Sequence, residues 1–197
     1  MALAITQSSM NIESEKQTLR ENARLHRDRL DVDEGDFERV IDVFFEKVNP
    51  PQDKIISLYW PVGKEFDCRY LLDELVKRGF QCALPIVEKN SRVLTFKQWT
   101  HDTKMTRGAF DVFEPQGGAE LVPDIVLAPL LAFDQKGYRL GQGGGYYDAT
   151  LEALRAQKQV SYIGVGYAEQ AVLLKLPREA HDVPLDAMLT PQTLIEF

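Results

Sequence analysis

A cluster of glycines constrains this chain more than any other feature of its sequence. Four glycines fall within five positions: Gly141, Gly143, Gly144 and Gly145. The apolar run 125–131 precedes them and the helix-compatible segment 146–157 follows, so the order is strand, glycine-rich loop, helix. Bare backbone N–H groups can close around an anion in such a loop, and the helix N-terminus adds partial positive charge. The pattern indicates a phosphate site, with a flexible surface loop as the alternative.

The loop matches neither of two common nucleotide-binding motifs. No Lys-Ser or Lys-Thr pair follows the glycines, as a Walker A motif requires. Tyr146 stands where the third glycine of G-x-G-x-x-G would fall, and no acidic strand end follows at the expected distance. An NAD(P)-dependent oxidoreductase is therefore the least favoured alternative.

Composition limits the class of protein. The 197 residues with 44% hydrophobic content fit one domain, 1–197, with a full-sized core. The net charge of −7 argues against a general nucleic-acid surface. Cys68 and Cys82 lack metal-type spacing, which indicates two reduced thiols. Without a signal-peptide pattern or a membrane-length apolar run, we expect a cytoplasmic monomer or weak homodimer that binds neither nucleic acid nor membrane.

Hydrophobic periodicity predicts an α/β fold. We expect a disordered segment 1–10, then helices over 11–30 (starting at Asn11 or Ser14), 34–48, 68–78, 146–157 and 168–174. Predicted strands cover 54–60, 81–84 (stopping at Pro85), 92–98, 124–128, 159–166 and 187–189, with 100–123 irregular. Alternation of strands with helices predicts a mostly parallel sheet flanked by helices, with ligands at the carboxyl ends of the strands.

The first predicted helix carries a basic face. Its members are Lys16, Arg20, Arg24 and Arg27, whose spacings of four, four and three place them on one side. One interpretation is a solvated face with Glu13, Glu15 and Glu21 as partners. Because the chain as a whole is acidic, we also expect this face to supply contacts to a triphosphate.

Two aspartates are candidate metal ligands. Asp148 falls in the first turn of the helix that would face the phosphate, and two negative groups there would repel without a cation. Mg²⁺ suits that position, since one or two carboxylates plus phosphates usually hold it. The alternative is an ordinary helix-start aspartate. Asp186 is a lone loop carboxylate, which is commonly solvated.

Other candidates follow predicted strands. Glu65 is either a free loop carboxylate or the partner of an amino-nitrogen heterocycle, and Trp60 is either core or pocket wall. Tyr146 and Tyr147 could stack on a ring or pack their helix. No serine or cysteine lies beside a base in a motif setting. An enzyme of this kind would act by positioning and charge neutralisation, as phosphoryl transfer does.

These stretches together resemble the 5-formyltetrahydrofolate cyclo-ligase (5,10-methenyltetrahydrofolate synthetase) family. The main match is LAPLLAFDQKGYRLGQGGGYYDATL, with its F-D-x-x-G-x-R-L-G, glycine run and Y-Y-D. Further matches are K-x-x-L-R at 16–20, YWPVGKEFD, FEP at 113–115 and HDVPLDAML, so the resemblance spans about 14–190. It implies a fold related to sugar-phosphate isomerases and CoA transferases. It also implies conversion of 5-formyltetrahydrofolate and ATP, with Mg²⁺, to 5,10-methenyltetrahydrofolate, ADP and phosphate.

The resemblance also implies roles for individual residues. The implied ATP-binding residues are Lys16, Arg20, Arg139, Leu140, Gly141, Gln142, Gly143, Gly144, Gly145, Tyr146 and Tyr147. The implied folate-binding residues are Trp60, Glu65, Gln142, Gly143, Gly144, Gly145 and Tyr146, with Glu65 on the pterin nitrogens. Asp148 and Asp186 would lie near Mg²⁺.

The chain departs from the family pattern in two places. Some members carry a basic residue in the glycine run, where this chain has Gln142 and Gly144, and Trp60 is larger than the side chain it can replace. Arg139, Lys136 or Arg107 would then balance the missing charge. The alternative function on the same fold is a non-catalytic sensor of a nucleotide or a sugar phosphate.

Overall fold

The structure is a computed structural model that describes the backbone of residues 2–197 and the side chains of residues 11–197. The helices are α1 (Ala2–Asp28), α2 (Asp36–Val43), α3 (Arg69–Lys77) and α4 (Tyr146–Arg155). A π-helical turn, Phe44–Val48, extends α2, and two 3-10 turns are Ala109–Asp111 and Ala168–Gln170. Along this described chain, no helix is both long and apolar enough to span a bilayer.

The strands form three sheets. They are β1 (Ile55–Ser57), β2 (Gln81–Ile86), β3 (Thr95–Trp99), β4 (Met105–Arg107), β5 (Phe113–Pro115), β6 (Ile125–Ala128), β7 (Ala132–Asp134), β8 (Arg139–Leu140), β9 (Ser161–Val165), β10 (Ala171–Val172), β11 (Ala187–Leu189) and β12 (Leu194–Glu196). The large sheet has seven strands in the order β12-β11-β9-β6-β1-β2-β3. Its five inner strands are parallel and its two edge strands antiparallel. The predicted mostly parallel α/β fold is confirmed.

The direction of winding reverses between β1 and β6. From β1 the chain crosses through α3 to β2, whereas from β6 it crosses through α4 to β9 on the other side. Crossovers of one hand in opposite directions put α3 and α4 on opposite faces of the sheet. The loops after β1 and β6 therefore diverge and leave a crevice, which is where doubly wound sheets bind ligands.

Each face of the large sheet has its own apolar core. On one face Leu71 and Leu75 of α3 pack with Ile56 of β1, and all three are fully buried. On the other face Leu151 of α4 packs with Tyr162 of β9, which is also fully buried. Burying a leucine side chain contributes about 2 kcal/mol, so these helices are held mainly by packing.

A small sheet carries the chain from the large sheet to the glycine run. β7 pairs antiparallel with β8 and parallel with β10. The glycine run therefore follows a hairpin rather than the buried strand β6, which corrects the expected direct order of strand, loop and helix. Leu19 and Ala23 of α1 pack against a cluster formed by Ala132 and Leu140 of this sheet and Leu176 after it, which places α1 beside the glycine run.

Several predicted boundaries are wrong. Helix α1 begins at Ala2 rather than at Asn11 or Ser14, and the side chains of 1–10 lie outside the described residues, so the predicted disorder of that segment stays a prediction. Strand β2 does not stop at Pro85 but runs to Ile86. Its pairing with β1 ends at Ala83, so Pro85 has no neighbour on that side to which an N–H would have to donate.

Two segments were assigned to the wrong structure. The stretch 100–123 contains the hairpin β4–β5, whose three-residue strands are too short to show periodicity. In place of a helix over 168–174, a single 3-10 turn leads into β10. The amide of buried Gln170 there donates to the carbonyl oxygens of Leu130 and Leu131, a tertiary tie that local sequence does not reveal.

Candidate nucleotide and folate site

The glycine run turns sharply into the N-terminus of α4. Gly143 has φ of 101° and Gly145 has φ of 67°, both in the left-handed region that favours glycine. Residues 142–144 are exposed. Among the residues that the structure describes, none accepts a hydrogen bond from the amides of 143–147. Free amides at a helix N-terminus suit an anion, and the predicted phosphate site stays a prediction.

The basic face of α1 packs onto this surface. Lys16, Arg20 and Arg27 are only 6%, 7% and 5% exposed, so the interpretation of a solvated face is wrong for them. Arg24 between them is half-buried. A line of buried cations beside free amides can hold several negative charges at once.

Arg20 contacts the glycine run directly. Its Nε donates to the carbonyl oxygen of Gly141 at 3.3 Å, and its Nη1 donates to Glu13 at 2.6 Å. A Cβ placed on Gly143 would lie 3.1 Å from the guanidinium carbon of Arg20, which is tighter than ordinary contact. Glycine at 143 therefore allows both the left-handed turn and the close approach of Arg20.

Lys16 is held by an acidic pair from the segment after β10. Its Nζ donates to Asp182 at 2.6 Å and to Glu179 at 3.1 Å. Burial acts to lower the pKa of Lys16, but the hydrogen bonds to Asp182 and Glu179 outweigh it, so the pKa is raised. Sequence reasoning missed these carboxylates, which are far from Lys16 along the chain.

A hydrogen-bonded chain joins α1, the glycine run and the loop after β1. Nη2 of Arg24 donates to Gln142 at 2.9 Å, and the amide of Gln142 donates to Glu65 at 3.1 Å. The second oxygen of Glu65 accepts the backbone N–H of Val62 at 3.0 Å. The Glu65 side chain is 7% exposed, so it is not a free loop carboxylate.

Aromatic side chains surround the mouth of the crevice. Trp60 is half-buried, packs against the core under α3, and lies edge-on to Phe113 at 6.2 Å between ring centroids. Tyr146 is half-buried and lies edge-on to Phe110 at 5.7 Å. Both Trp60 and Tyr146 have partly exposed rings, so a planar ligand could contact either.

Arg139 borders the glycine run at Gly141, where its Nη1 would clash with an added Cβ, and its guanidinium is also engaged on the side of α4. Its Nη2 donates to Asp148 at 3.2 Å, its Nε donates to the hydroxyl of Tyr162, and its guanidinium lies 5.2 Å from the ring centroid of Tyr147. Arg107 pairs with Asp111. Arg20 and Arg24 of α1 also contact the glycine run, through hydrogen bonds to Gly141 and Gln142.

The structure does not bring the two predicted metal ligands into one group. Asp148 accepts from Arg139 and from the backbone N–H of Val183, in the first turn of α4. Asp186 accepts from Arg155 at 2.8 Å, at the last residue of α4, and from the N–H of Tyr162 near the start of β9. Asp186 therefore lies toward the amino ends of the strands rather than beside the glycine run.

Comparison with known proteins decides the family. Residues 12–191 match the model of the 5-formyltetrahydrofolate cyclo-ligase family. The chain belongs to this family. The cyclo-ligase named from Haemophilus influenzae is 36% identical over 141 residues, which cover 68% of this chain and 74% of that protein. The one from Escherichia coli is 32% identical over 149 residues, which cover 72% and 80%.

Solved structures of cyclo-ligases share the fold. The NMR structure of Aquifex aeolicus 5,10-methenyltetrahydrofolate synthetase superposes with a TM-score of 0.75 at 28% identity, over 92% of each chain. The Mycoplasma pneumoniae 5,10-methenyltetrahydrofolate synthetase gives a TM-score of 0.68 at 23% identity, over 90% of this chain and 99% of that one, and supports the fold alone. The resemblance seen in the sequence is confirmed.

Proposed function

We propose that this cyclo-ligase family member converts 5-formyltetrahydrofolate and ATP to 5,10-methenyltetrahydrofolate, ADP and phosphate. The observation that carries the proposal is the packing of buried Lys16 and Arg20 beside the free amides of the glycine run. A triphosphate needs this combination of charge and N–H donors. The switch-point crevice between β1 and β6 adds room for a second, planar substrate.

The reaction requires an amide oxygen to become a leaving group. The formyl oxygen attacks the γ-phosphorus, the bond to ADP breaks, and the formyl carbon carries a phosphate ester. N10 of the folate then attacks that carbon, phosphate leaves with the original formyl oxygen, and the ring closes with loss of the N10 proton. The protein has to align these groups and neutralise charge.

Residues of α1 and the glycine run would neutralise the phosphates. Arg20 already contacts the run at Gly141. Lys16 lies one helical turn before Arg20 on the same face of α1 and is paired with Asp182. We expect phosphate oxygens to exchange with Glu179 and Asp182 as partners of Lys16. Folate would lie on the other side of the run, with Glu65 accepting from the pterin nitrogens and Trp60 as a wall.

Mg²⁺ is proposed as the companion of ATP, where it would neutralise phosphate charge. Asp186 does not fit a ligand of this ion, because its partner Arg155 is the last residue of α4, at the opposite end of that helix from the glycine run. Both oxygens of Asp148 already accept hydrogen bonds, from Arg139 and Val183. We therefore propose that Asp148 lies near the ion without coordinating it, as the partner of Arg139.

We also propose a cytoplasmic location and a monomer or weak homodimer, without nucleic-acid or membrane partners. Cys68 and Cys82 are buried free thiols, which suits a reducing compartment. The net charge of −7 disfavours polyanionic partners outside the local basic face.

Absorbance in the methenyl-folate band tests the proposed reaction. Purified protein with 5-formyltetrahydrofolate, ATP and Mg²⁺ should give a rise that is lost when ATP or folate is omitted. A flat trace from folded protein would refute the enzymatic proposal. Stabilisation by ATP or a sugar phosphate alone, without any effect of folate, would instead support a sensor.

A further inference from the structure

Arg27 is a buried arginine whose guanidinium makes no hydrogen bond to the described side chains and backbone. It lies on the same face of α1 as Lys16 and Arg20 and is 5% exposed. Its Nε and Nη1 are buried, and no described residue accepts a hydrogen bond from either. The nearest carboxylates are Asp28, 3.8 Å from Nε, and Glu65, 3.9 Å from Nη1, both beyond hydrogen-bonding distance.

Such an arrangement is costly unless a ligand completes it. Buried polar groups in folded proteins nearly always have partners, and an unsatisfied buried charge is strongly unfavourable. Two unused N–H donors beside the crevice therefore point to an acceptor that a bound molecule supplies.

The neighbouring Glu65 indicates which acceptor. Glu65 supplies carboxylate oxygens next to the unused donors of Arg27, so the pocket presents an acceptor and a donor side by side. A lactam edge, in which a ring N–H adjoins a C=O, has the complementary order. The pterin of the proposed substrate carries that edge.

We propose that Arg27 donates to the 4-oxo group of the pterin while Glu65 accepts from the adjacent N3–H and 2-amino group, so that the pair selects 4-oxo over 4-amino pteridines. This inference rests on the proposed function, since it assigns the substrate of that same site. A site with a dedicated donor rejects an analogue that lacks the acceptor, because its buried donors are then left unpaired. Arg27 is thus a specificity-determining residue.

Substitution of Arg27 by methionine tests the contact. For Arg27→Met we expect the KM for 5-formyltetrahydrofolate to rise about ten- to a hundredfold, the range for a hydrogen bond to a charged group, with the KM for ATP unchanged. The ligand-free melting temperature should stay the same or rise, because an unpaired buried charge is removed. Arg29→Met, at an exposed residue directly after α1, is the matched control and should change neither KM.

Direct binding separates this contact from a structural role. Thermal shift without ATP, with a 2-amino-4-oxopteridine and a 2,4-diaminopteridine as probes, should show a preference for the oxo compound in wild-type protein that Arg27→Met loses. Arg27→Lys keeps the charge but lacks the planar guanidinium, so the preference for the oxo compound should fall in this variant too. This second variant decides the question if Arg27→Met does not fold. An unchanged folate KM or an unchanged oxo preference would overturn the proposal. If wild-type protein shows no turnover, the proposed reaction fails, and the pteridine arm still decides the Arg27 contact.

Discussion

At the scale of single residues, the ion pair with Arg139 gives Asp148 a structural role besides the metal role expected from the sequence. Burial acts to lower the pKa of Arg139, but its neighbours Tyr162 and Asp148 outweigh burial and the pKa is raised. Arg139 therefore keeps its charge beneath α4. Loss of Asp148 would leave that charge without a counter-ion.

We predict that Asp148→Asn lowers the free energy of unfolding by about 3 kcal/mol, the cost of breaking a largely buried pair. Urea unfolding of ligand-free protein measures it. Asp186→Asn is the control: Arg155 and Asp186 are both partly exposed, so the loss should be about 1 kcal/mol or less. Equal losses in the two variants would show that the Arg139 pair has no special structural weight, and Mg²⁺ ligation would again be the better account of Asp148.

Sequence reasoning found most of these residues but not their pairings. Arg20, Glu65 and the glycine run were predicted at one site and do lie together. The partners of Lys16 come from residues 179–182 and those of Arg139 from α4 and β9, and side-chain pairing over such separations depends on the completed fold. The burial of Arg27 depends on how α1 docks, which its helical spacing alone does not define.

At the scale of elements, the junction of the glycine run with α4 can be tested by adding single methyl groups. Gly143→Ala places a Cβ against Arg20 at a φ of 101°, so both the turn and the arginine must shift. We predict that the KM for ATP rises at least about tenfold, since a charge-assisted contact of this kind contributes about 1.5–3 kcal/mol. Steady-state kinetics with ATP varied at saturating folate measures it.

Gly145→Ala is the matched control for that substitution. Gly145 also has a positive φ, of 67°, but the nearest atom to an added Cβ is Arg92 Nη1 at 3.8 Å. The alanine there carries only backbone strain of about 1 kcal/mol, so we expect reduced stability with a smaller effect on ATP. A larger rise in the KM for ATP at 145 than at 143 would contradict the role assigned to the contact with Arg20.

An element could be predicted where its own residues carry a clear hydrophobic pattern. Helices α3 and α4 and the buried strands β6 and β9 were predicted to within a few residues, because each has a clear period or an unbroken apolar run. The β4–β5 hairpin and the 3-10 turn before β10 were missed, since β4 is largely exposed and none of these three-residue elements has an apolar run of its own. Their hydrogen bonds come from partners elsewhere in the fold.

At the scale of the whole molecule, neutral acids buried in the cores set the response to alkaline pH. Burial raises the pKa of the Cys68 and Cys82 thiols from 9.0 to about 12, and that of Tyr162 from 10.0 to about 12. In the unfolded chain these groups ionise at their ordinary values. The stability that they contribute is therefore complete below pH 9 and is lost as the pH rises from 9 toward 12.

We predict that the urea midpoint is nearly constant from pH 7 to 8.5 and falls steeply above pH 9, with a shallower fall in the double variant Cys68→Ala, Cys82→Ala. Both alanines remove a titrating group that is protonated only in the folded chain, so the slope must drop even if the variant is less stable at pH 7. The comparison of slopes rather than midpoints separates titration from packing loss, because a cavity costs the same at every pH. The single variants Cys68→Ala and Cys82→Ala separate the two thiols. Cys68 donates to the carbonyl oxygen of Tyr59 under α3, whereas burial alone raises the pKa of Cys82. Identical slopes for wild type and double variant would mean that ionisation elsewhere, in Tyr162 or Tyr167, controls alkaline unfolding.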